Sequence, residues 1–362
     1  MTGFAGQWIG RISGSINGTL TLNFDSDRPQ YGLLLVAGDH DRNTLFAGNL
    51  FCHFLHDKYE FYARDITAVV HTTSPTQIPK VINAQGKFSN NSISATWTSD
   101  NKGCGYFEVL RQDESGPTPA TITFDSWDSF QQWIKERRKF ESRYVYRGHE
   151  RNTYRLESSF HRTGRRNVGR YWKEDIPELY RALAPLLTHR FDVTNHIEFT
   201  AFLYLARHHG FPTPLLDWTA SHYVAAFFAF FSGDVPASPP EYVRILEFDP
   251  DNFDRALDKQ HALTTIFEPT PILEFVGAIP FANPRALPQQ SKVMFSNVAN
   301  AERFIGNEEK RSDLTTLNKS DLKYSLREEV VDYLRYIGIT PATMFPGLDG
   351  TCKALAQKFF TR

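Results

Sequence analysis

The sequence predicts an N-terminal antiparallel β-sandwich or β-barrel followed by an α+β domain. Three observations support this prediction. Residues 6–110 alternate apolar and polar side chains in short runs between turn residues. A polar segment with two prolines follows, and beyond it apolar residues recur at helical spacing between short strand-like runs. The predicted units are therefore 1–112, a linker at 113–123, and 124–362.

The β-rich unit is predicted from alternation along several short runs. In GTLTLNF, the apolar Leu20, Leu22 and Phe24 alternate with polar residues, and the preceding Asn17-Gly18 is a strong hairpin signal. The same reasoning predicts further strands at Tyr31–Val36, Leu45–Phe51, Glu60–Tyr62, Ala68–Thr72, Ser92–Thr98 and Gly105–Leu110.

Two tryptophans of this unit, Trp8 and Trp97, fall on pleated faces. Tryptophan in such a place usually belongs to the core, and a ligand-binding surface is the alternative. The unit contains no cluster of paired carboxylates and no nucleophile beside a base. We therefore expect a binding or specificity module whose ligand the sequence does not identify.

The composition predicts a soluble cytoplasmic protein. A net charge of −1 gives no global support for a nucleic-acid or membrane partner. The longest apolar stretch, Tyr223–Phe231, is far shorter than the roughly 20 residues of a membrane span, and no secretory signal is evident. Three cysteines without metal-ligand spacing fit a reducing compartment better than a disulfide scaffold.

The second unit is predicted to mix helices and strands. Asp125 or Ser126 can cap a helix in FDSWDSFQQWIKERRKF, and an almost wholly apolar helix is expected after Ser221. Two further helices are expected at Tyr171–Thr188 and Asn195–Arg207, and strands at Ser142–Tyr146, Tyr242–Phe248 and Lys292–Phe295.

The first motif that points to chemistry is Tyr146-Arg147-Gly148. A strand-like run carries Arg147, whose planar guanidinium matches the geometry of a carboxylate or phosphate group. Gly148 lets a ligand approach the backbone closely. A buried ion pair at a strand end explains the same residues equally well. Around it, the segment 143–170 is rich in arginine, which indicates either a solvated basic loop or a site for phosphate or nucleic-acid backbone. Its arginines are Arg143, Arg147, Arg151, Arg155, Arg162, Arg165, Arg166 and Arg170.

A second motif places many polar residues before the apolar helix. A helix needs one cap, so the surplus favours an anion or nucleotide site at the helix start, with caps and core hydrogen bonds as the alternative. The spacing HHxxxxxxxD does not match a metal site, so no metal is expected. The polar and aromatic residues concerned are His208, His209, Asp217, Trp218, Thr219 and Ser221.

A third motif is Asn283-Pro284-Arg285 followed by Gln289-Gln290, just before a predicted strand. Two amides there can reach a hydroxyl or amide of a ligand, although the pattern alone is weak. A fourth block, 338–350, is predicted to form a rigid turn and a short terminal helix with a structural role.

Taken together, these blocks resemble the FRG domain, named for its Phe/Tyr-Arg-Gly signature. The resemblance spans about 124–360, and Ser291 stands where the family usually has glycine after Gln-Gln. The matching blocks are YRGH at 146–149, ARHHGFPTPLLDWT at 206–219, AAFFA at 225–229, NPR with QQ at 283–290, and GITPATMFPGLDG at 338–350.

The layout is also similar to ADP-ribosyltransferases of the Arg-Ser-Glu type. This resemblance implies that Arg147 holds the phosphates of NAD, that Thr219 and Ser221 support the ribose or phosphate, and that Gln289 or Gln290 replaces the catalytic glutamate. A neutral amide supplies no countercharge, which leaves three alternatives: a slow or specialised transferase, recruitment of another acid such as Glu274, or nucleotide binding without chemistry. The neighbouring residues expected to contact the cofactor are Tyr146, Gly148, His208, His209, Asp217 and Trp218.

The function implied by the resemblance is NAD-dependent ADP-ribosyl transfer or NAD cleavage, in a toxin or phage-defence effector. One rival is a non-catalytic nucleotide or nucleic-acid binder that uses the segment 143–170. Another is an interaction protein in which the polar residues at 208–221 only cap and pack. Fold-level analogy does not choose among these.

Overall fold

The computed structural model describes residues 3–39, 45–55, 58–68, 78–112, 116–137, 144–231, 238–257, 270–281 and 283–360. They form two β-sheets, the first closed and the second open. Arg143 and residues 69–72 of the predicted strand Ala68–Thr72 lie outside the described residues.

The first sheet is a closed antiparallel barrel of eight strands in sequential order. Strands β1 and β8 close it through pairs that run from Trp8↔Arg111 to Gly14↔Gly105. Closure leaves no unpaired strand edge, so of the two predicted architectures the barrel is correct. The strands are β1 Gly6–Gly14, β2 Gly18–Phe24, β3 Tyr31–Gly38, β4 Leu45–Leu55, β5 Lys58–Ala68, β6 Ile82–Phe88, β7 Ser92–Ser99 and β8 Cys104–Arg111.

The barrel interior is filled by apolar side chains. Trp8 and Trp97 are both fully buried there, so their assignment to the core is confirmed. The lumen that the described residues enclose measures about 20 Å³, which is room for about one water molecule.

The second sheet has seven strands in the order β13-β14-β11-β10-β12-β15-β9. Neighbouring strands are antiparallel except β15 and β9, which are parallel. The first strand, β9, begins inside the segment predicted as a linker. The seven strands of this sheet are β9 Ile122–Phe124, β10 Val145–His149, β11 Leu215–Thr219, β12 Tyr242–Phe248, β13 Leu273–Val276, β14 Ser291–Ser296 and β15 Leu317–Lys323.

Eleven helices in the described ranges accompany this sheet. Those predicted at 171–188 and 195–207 are present with small changes: the first begins with a π-helical turn at Tyr171–Asp175, and Asn195 caps the second. None of the helices has the length and apolar composition that a membrane span requires. They are α1 Trp127–Arg137, α2 Ser159–Arg162, α3 Val168–Arg170, α4 Ile176–Leu183, α5 His196–His208, α6 His222–Phe230, α7 Pro250–Ala256, α8 Ala301–Ser312, α9 Arg327–Tyr336, α10 Pro341–Met344 and α11 Leu348–Phe360.

The barrel is joined to the second unit through buried contacts. Leu33 and Leu35 point out of the barrel into the core that contains Tyr171. Asp25, only 1% exposed, accepts hydrogen bonds from the backbone amides of Arg166 and Asn167 at 2.6 and 2.8 Å. The barrel therefore fixes the segment that carries the arginine run.

Several arginines of that run are committed to ion pairs. Arg165 and Arg170 each lie 2.9 Å from a carboxylate oxygen of Asp25, and Arg166 pairs with Glu157 at 3.4 Å. These three side chains contribute to the barrel contact and the local fold. A solvated basic loop is therefore the wrong description for this part of the segment, because the charges are paired and largely enclosed.

Candidate functional site

The site is built where two neighbouring strands of the second sheet separate. Strand β10 pairs with β12 at five residues, whereas it pairs with β11 only at Tyr146↔Thr219 within these described strands. Beyond that pair the strands diverge, and Arg147 lies at the opening. Backbone groups left unpaired by such a split need other partners.

Gly148 explains how a helix comes so close to this opening. A Cβ atom at Gly148 would lie 2.0 Å from the carbonyl oxygen of Ala225 in α6. Any other residue would push α6 away from β10. The glycine of the motif is therefore required for packing between the helix and the strand.

Arg147 fills part of the gap between the strands. Its Nε donates to Nε2 of His149 at 3.2 Å, and its Nη1 donates to the carbonyl oxygen of Asp217. Burial lowers the pKa of the Arg147 guanidinium to about 10, and the nearby charge of Asp217 opposes this effect. The group is therefore charged near neutral pH, and no described carboxylate forms an ion pair with it.

His149 completes this arrangement. Burial lowers the pKa of its imidazole well below the ordinary value, and the charges of Arg147 and Arg244 lower it further. The ring is therefore neutral near neutral pH, which leaves Nε2 free to accept the hydrogen bond from Arg147. His149 belongs to the YRGH motif, but the sequence alone indicated no role for it.

Asp217 lies on β11 rather than at a helix start. Nε of Arg207 contacts its two carboxylate oxygens at 2.8 and 2.7 Å, and Nη1 of Arg207 donates to Ser159 at 2.9 Å. Burial raises the pKa of the Asp217 carboxyl, but the charge and hydrogen bonds of Arg207 outweigh it, so the net pKa is lowered. The side chain keeps 45% exposure, so it is an ion-paired carboxylate rather than a cap.

These groups open onto a cleft of about 970 Å³. Its walls carry five arginines and three carboxylates, so the cleft is cationic. The charged side chains are Arg147, Arg155, Arg162, Arg207, Arg285, Glu150, Glu157 and Asp217.

Among those arginines, Arg162 and Arg285 resemble Arg147 in forming no ion pair with a described carboxylate. Arg162 donates to the backbone carbonyl of Glu157 at 2.7 Å, and the guanidinium of Arg285 lies 5.3 Å from the ring centre of Phe345. Glu157 and Asp217 are instead paired with arginines. The cleft can therefore accept further negative charge.

Most of the predicted site residues meet in this cleft. The residues that line it are Tyr146, Arg147, Gly148, His208, Asp217, Trp218, Thr219 and Gln289. Three predicted residues do not line it. Ser221 caps α6 through a 3.4 Å contact with the amide of Val224, His209 caps the end of α5, and Gln290 is exposed in a left-handed turn with φ 46°.

Thr219 and Gln289 hold the cleft walls together. The Thr219 hydroxyl donates to the carbonyl oxygen of Gln289 at 2.7 Å and accepts from the amide of Ser221 at 3.1 Å. Nε2 of Gln289 donates to the carbonyl oxygen of Met344 at 2.8 Å. Both polar side chains are therefore already used within the fold.

The proposed alternative acid, Glu274, does not line the cleft. It lies on the edge strand β13, separated from β11 by β14. Other cleft residues were missed or given no role from the sequence, namely Glu150, Tyr204, Arg207, Arg285 and Phe345. Their spacing along the chain gave no signal, because loops and helices from separate segments bring them together. No group of three metal-ligating side chains occurs among the described residues.

Comparisons with known proteins agree with the residue motifs in one region. The FRG domain matches residues 142–236. These residues are an FRG domain. The match includes β10, β11 and α6, and therefore the Arg147 side of the cleft, whereas Arg285, Gln289 and Phe345 lie beyond it.

The other comparisons add little. No curated protein matches the chain. A de novo designed fluorescence-activating β-barrel is similar to 30% of this chain and 94% of its own, with 16% identity and a TM-score of 0.22. A score this low carries no argument about this protein.

Proposed function

We propose that the cleft binds a phosphate-bearing nucleotide, with NAD as the leading ligand. The observation that carries the proposal is the half-buried guanidinium of Arg147 at the split between β10 and β11, which lines the cleft and forms no ion pair with a described carboxylate. Removing such a charge from water without a carboxylate to balance it costs free energy, and a bound anion reduces that cost. Arg162 and Arg285 add donors on the same cleft, so a bound nucleotide can be held at more than one point.

The reaction we propose for bound NAD is cleavage of its nicotinamide–ribose bond. Nicotinamide leaves with the bonding electron pair, and water or an acceptor nucleophile attacks the anomeric carbon. Positive charge grows on the ribose in the transition state, and a nearby carboxylate stabilises it. Gln289 cannot supply that charge, and arginines already neutralise Glu157 and Asp217. Glu150, an exposed residue of the cleft wall, is the carboxylate that we assign to this role.

A nucleic-acid partner for the segment 143–170 is the weaker candidate. Arg165, Arg166 and Arg170 are held by carboxylates of the fold, which leaves fewer charges for a polyanion. Arg147 and Arg162, which form no ion pair with a described carboxylate, line a cleft rather than an open surface, whereas Arg151 donates to the backbone carbonyl of Ser238 outside it. These contacts favour a compact nucleotide over an extended strand.

Equilibrium titration tests the binding proposal. The probes are NAD, ADP-ribose, ATP and a single-stranded oligonucleotide, added to the wild type, to Arg285→Ala and to Arg335→Ala. We expect Arg285→Ala to weaken nucleotide binding about tenfold, a loss of roughly 1.4 kcal/mol. Arg335 pairs with Asp332 on the exposed face of α9, so Arg335→Ala is a matched control that should retain wild-type affinity.

Nicotinamide release from NAD tests the reaction separately. We expect release by the wild type and its loss in Glu150→Gln, with NAD affinity retained in that variant. Nucleotide binding without release would limit the function to binding. Tight binding of the oligonucleotide alone, or equal effects of Arg285→Ala and Arg335→Ala, would contradict the proposed site.

A further inference from the structure

One end of the cleft is aromatic. Phe228 and Phe345 line it, and both are only partly buried. Their ring centres are 6.0 Å apart and their planes meet at 83°. The pair therefore offers both a ring face and a ring edge to its surroundings.

The fold holds these two rings in place from opposite sides. In α6, Phe227 and Phe230 are buried in the core, whereas Phe228 points to the cleft. Phe345 follows α10, whose start is fixed by a capping box between Thr340 and Thr343. The amide of Gln289 binds the carbonyl of Met344, the residue before Phe345, and so ties the two walls together.

The other end of the cleft is mainly polar and charged. Glu150, Thr153, Arg155 and Arg162 line it, together with the exposed ring of Tyr154. At the aromatic end, Arg285 places its planar guanidinium 5.3 Å from the ring centre of Phe345. A guanidinium and two aromatic rings together favour a planar, polarisable group. Phosphates are better placed near Arg147 and Arg162, which line the cleft and form no ion pair with a described carboxylate.

From this division we infer that the cleft has two subsites for one nucleotide. The heteroaromatic ring lies against Phe228 and Phe345 beside Arg285, and the phosphates extend towards Arg147 and Arg162. The hydrogen bond from the Gln289 side chain to the carbonyl of Met344 joins the walls of the ring subsite. This inference rests on the proposed nucleotide function and adds the part of the ligand that each end recognises.

The test compares ligands with and without a ring. NAD, ADP-ribose and inorganic pyrophosphate are titrated into the wild type, Phe345→Leu, Phe345→Tyr and Tyr154→Leu, and thermal unfolding checks that each variant is folded. We expect Phe345→Leu to weaken NAD and ADP-ribose about tenfold and to leave pyrophosphate unchanged. Phe345→Tyr keeps the ring and should retain nucleotide affinity, and Tyr154→Leu is the matched aromatic control from the other end. If Phe345→Leu does not fold, Phe228→Leu replaces it with the same expected result.

Different outcomes overturn different claims. Equal losses for nucleotides and pyrophosphate in Phe345→Leu, or a nucleotide-specific loss in Tyr154→Leu instead, would refute the ring subsite while leaving nucleotide binding in place. If Phe345→Leu binds nucleotides with wild-type affinity, the ring subsite is also refuted and nucleotide binding by the cleft still stands. No binding of any probe to the wild type would refute both the proposed function and this inference.

Discussion

The barrel and the second sheet use the same antiparallel pairing with opposite results. In the barrel, β1 pairs with both neighbours at seven residues each, and the lumen is about 20 Å³. In the second sheet, β10 and β11 pair at one residue and a cleft of about 970 Å³ opens beside them. The core of the barrel is apolar, whereas a charged guanidinium fills the split in the second sheet.

Polar functional groups can be accommodated at the split in the second sheet but not inside the barrel. Complete ladders satisfy the backbone and leave room for apolar packing alone. At the split, the carbonyl of Asp217 accepts its hydrogen bond from the Arg147 side chain, so the proposed ligand would compete with the backbone for the same donors. The barrel supports this arrangement from outside the second sheet, because Asp25 binds the backbone amides of Arg166 and Asn167 in the segment that follows Arg162.

The largest effect that we predict comes from removing Asp25. Asp25→Ala would leave Arg165 and Arg170 without their shared carboxylate and two backbone amides without an acceptor. We expect a loss of about 3–5 kcal/mol in the free energy of unfolding, measured by urea denaturation. Nucleotide affinity should fall as well, because Arg162 lies in the disturbed segment.

Asp27→Ala is the control for this prediction. Asp27 also pairs with Arg170, but half of its side chain is exposed, so its removal should cost about 1 kcal/mol or less. Equal losses in the two variants, or an Asp25→Ala protein as stable as the wild type, would show that the barrel does not support the second unit.

Local patterning predicted the barrel better than the site. Apolar runs between turn residues gave the positions of β2, β3 and β7, although only β7 buries a single face. Strands β2 and β3 are largely buried on both faces, and Leu33 and Leu35 of β3 pack into the core of the second unit. Local patterning missed β6, whose sequence INAQGKF carries few apolar residues, and it missed β11, since LLDWT follows two prolines and resembles a connector. The observed strand β10 also begins three residues later than predicted.

The cleft is formed by strands that are far apart in the sequence. Tyr146 and Thr219 are brought together across the sheet, and nothing local to either residue reveals that their strands separate beyond this pair. The motif identified Arg147 and Gly148, yet the hydroxyl of Thr219 and the amide of Gln289 proved to be bound within the fold. The FRG resemblance was confirmed for 142–236. The transferase resemblance stays a prediction.

A second prediction uses pH to separate the two regions. Fully or nearly buried histidines of the described chain, including His161, lie in the second unit. Burial lowers the pKa of His161 well below the ordinary value, and the charge of Arg166 lowers it further. The unfolded chain binds a proton near pH 6.5 and the folded chain only at much lower pH, so stability is complete above about 6.5 and falls as pH decreases.

The variant His161→Asn should reduce that dependence. A histidine that is neutral in the folded protein and protonated in the unfolded chain lowers the free energy of unfolding by about 1.4 kcal/mol for each pH unit below the pKa of the unfolded chain. The free energy of unfolding of His161→Asn should therefore fall less steeply between pH 6 and pH 5, by about 1.4 kcal/mol per pH unit. His196→Asn is the control, because the His196 side chain is exposed at the start of α5. An unchanged slope in His161→Asn would mean that the ring takes up its proton in the folded protein.

The smallest predicted effect concerns Ser221, which lies between the strand and the helix of the site. Its hydroxyl accepts from the amide of Val224 at 3.4 Å and it does not line the cleft. Ser221→Ala should therefore cost about 1 kcal/mol of stability, the usual value of a helix cap, and leave nucleotide affinity unchanged. Urea denaturation and NAD titration of the same preparation check both parts. A tenfold loss of affinity at wild-type stability would place the Ser221 hydroxyl on the ligand and extend the site beyond the cleft.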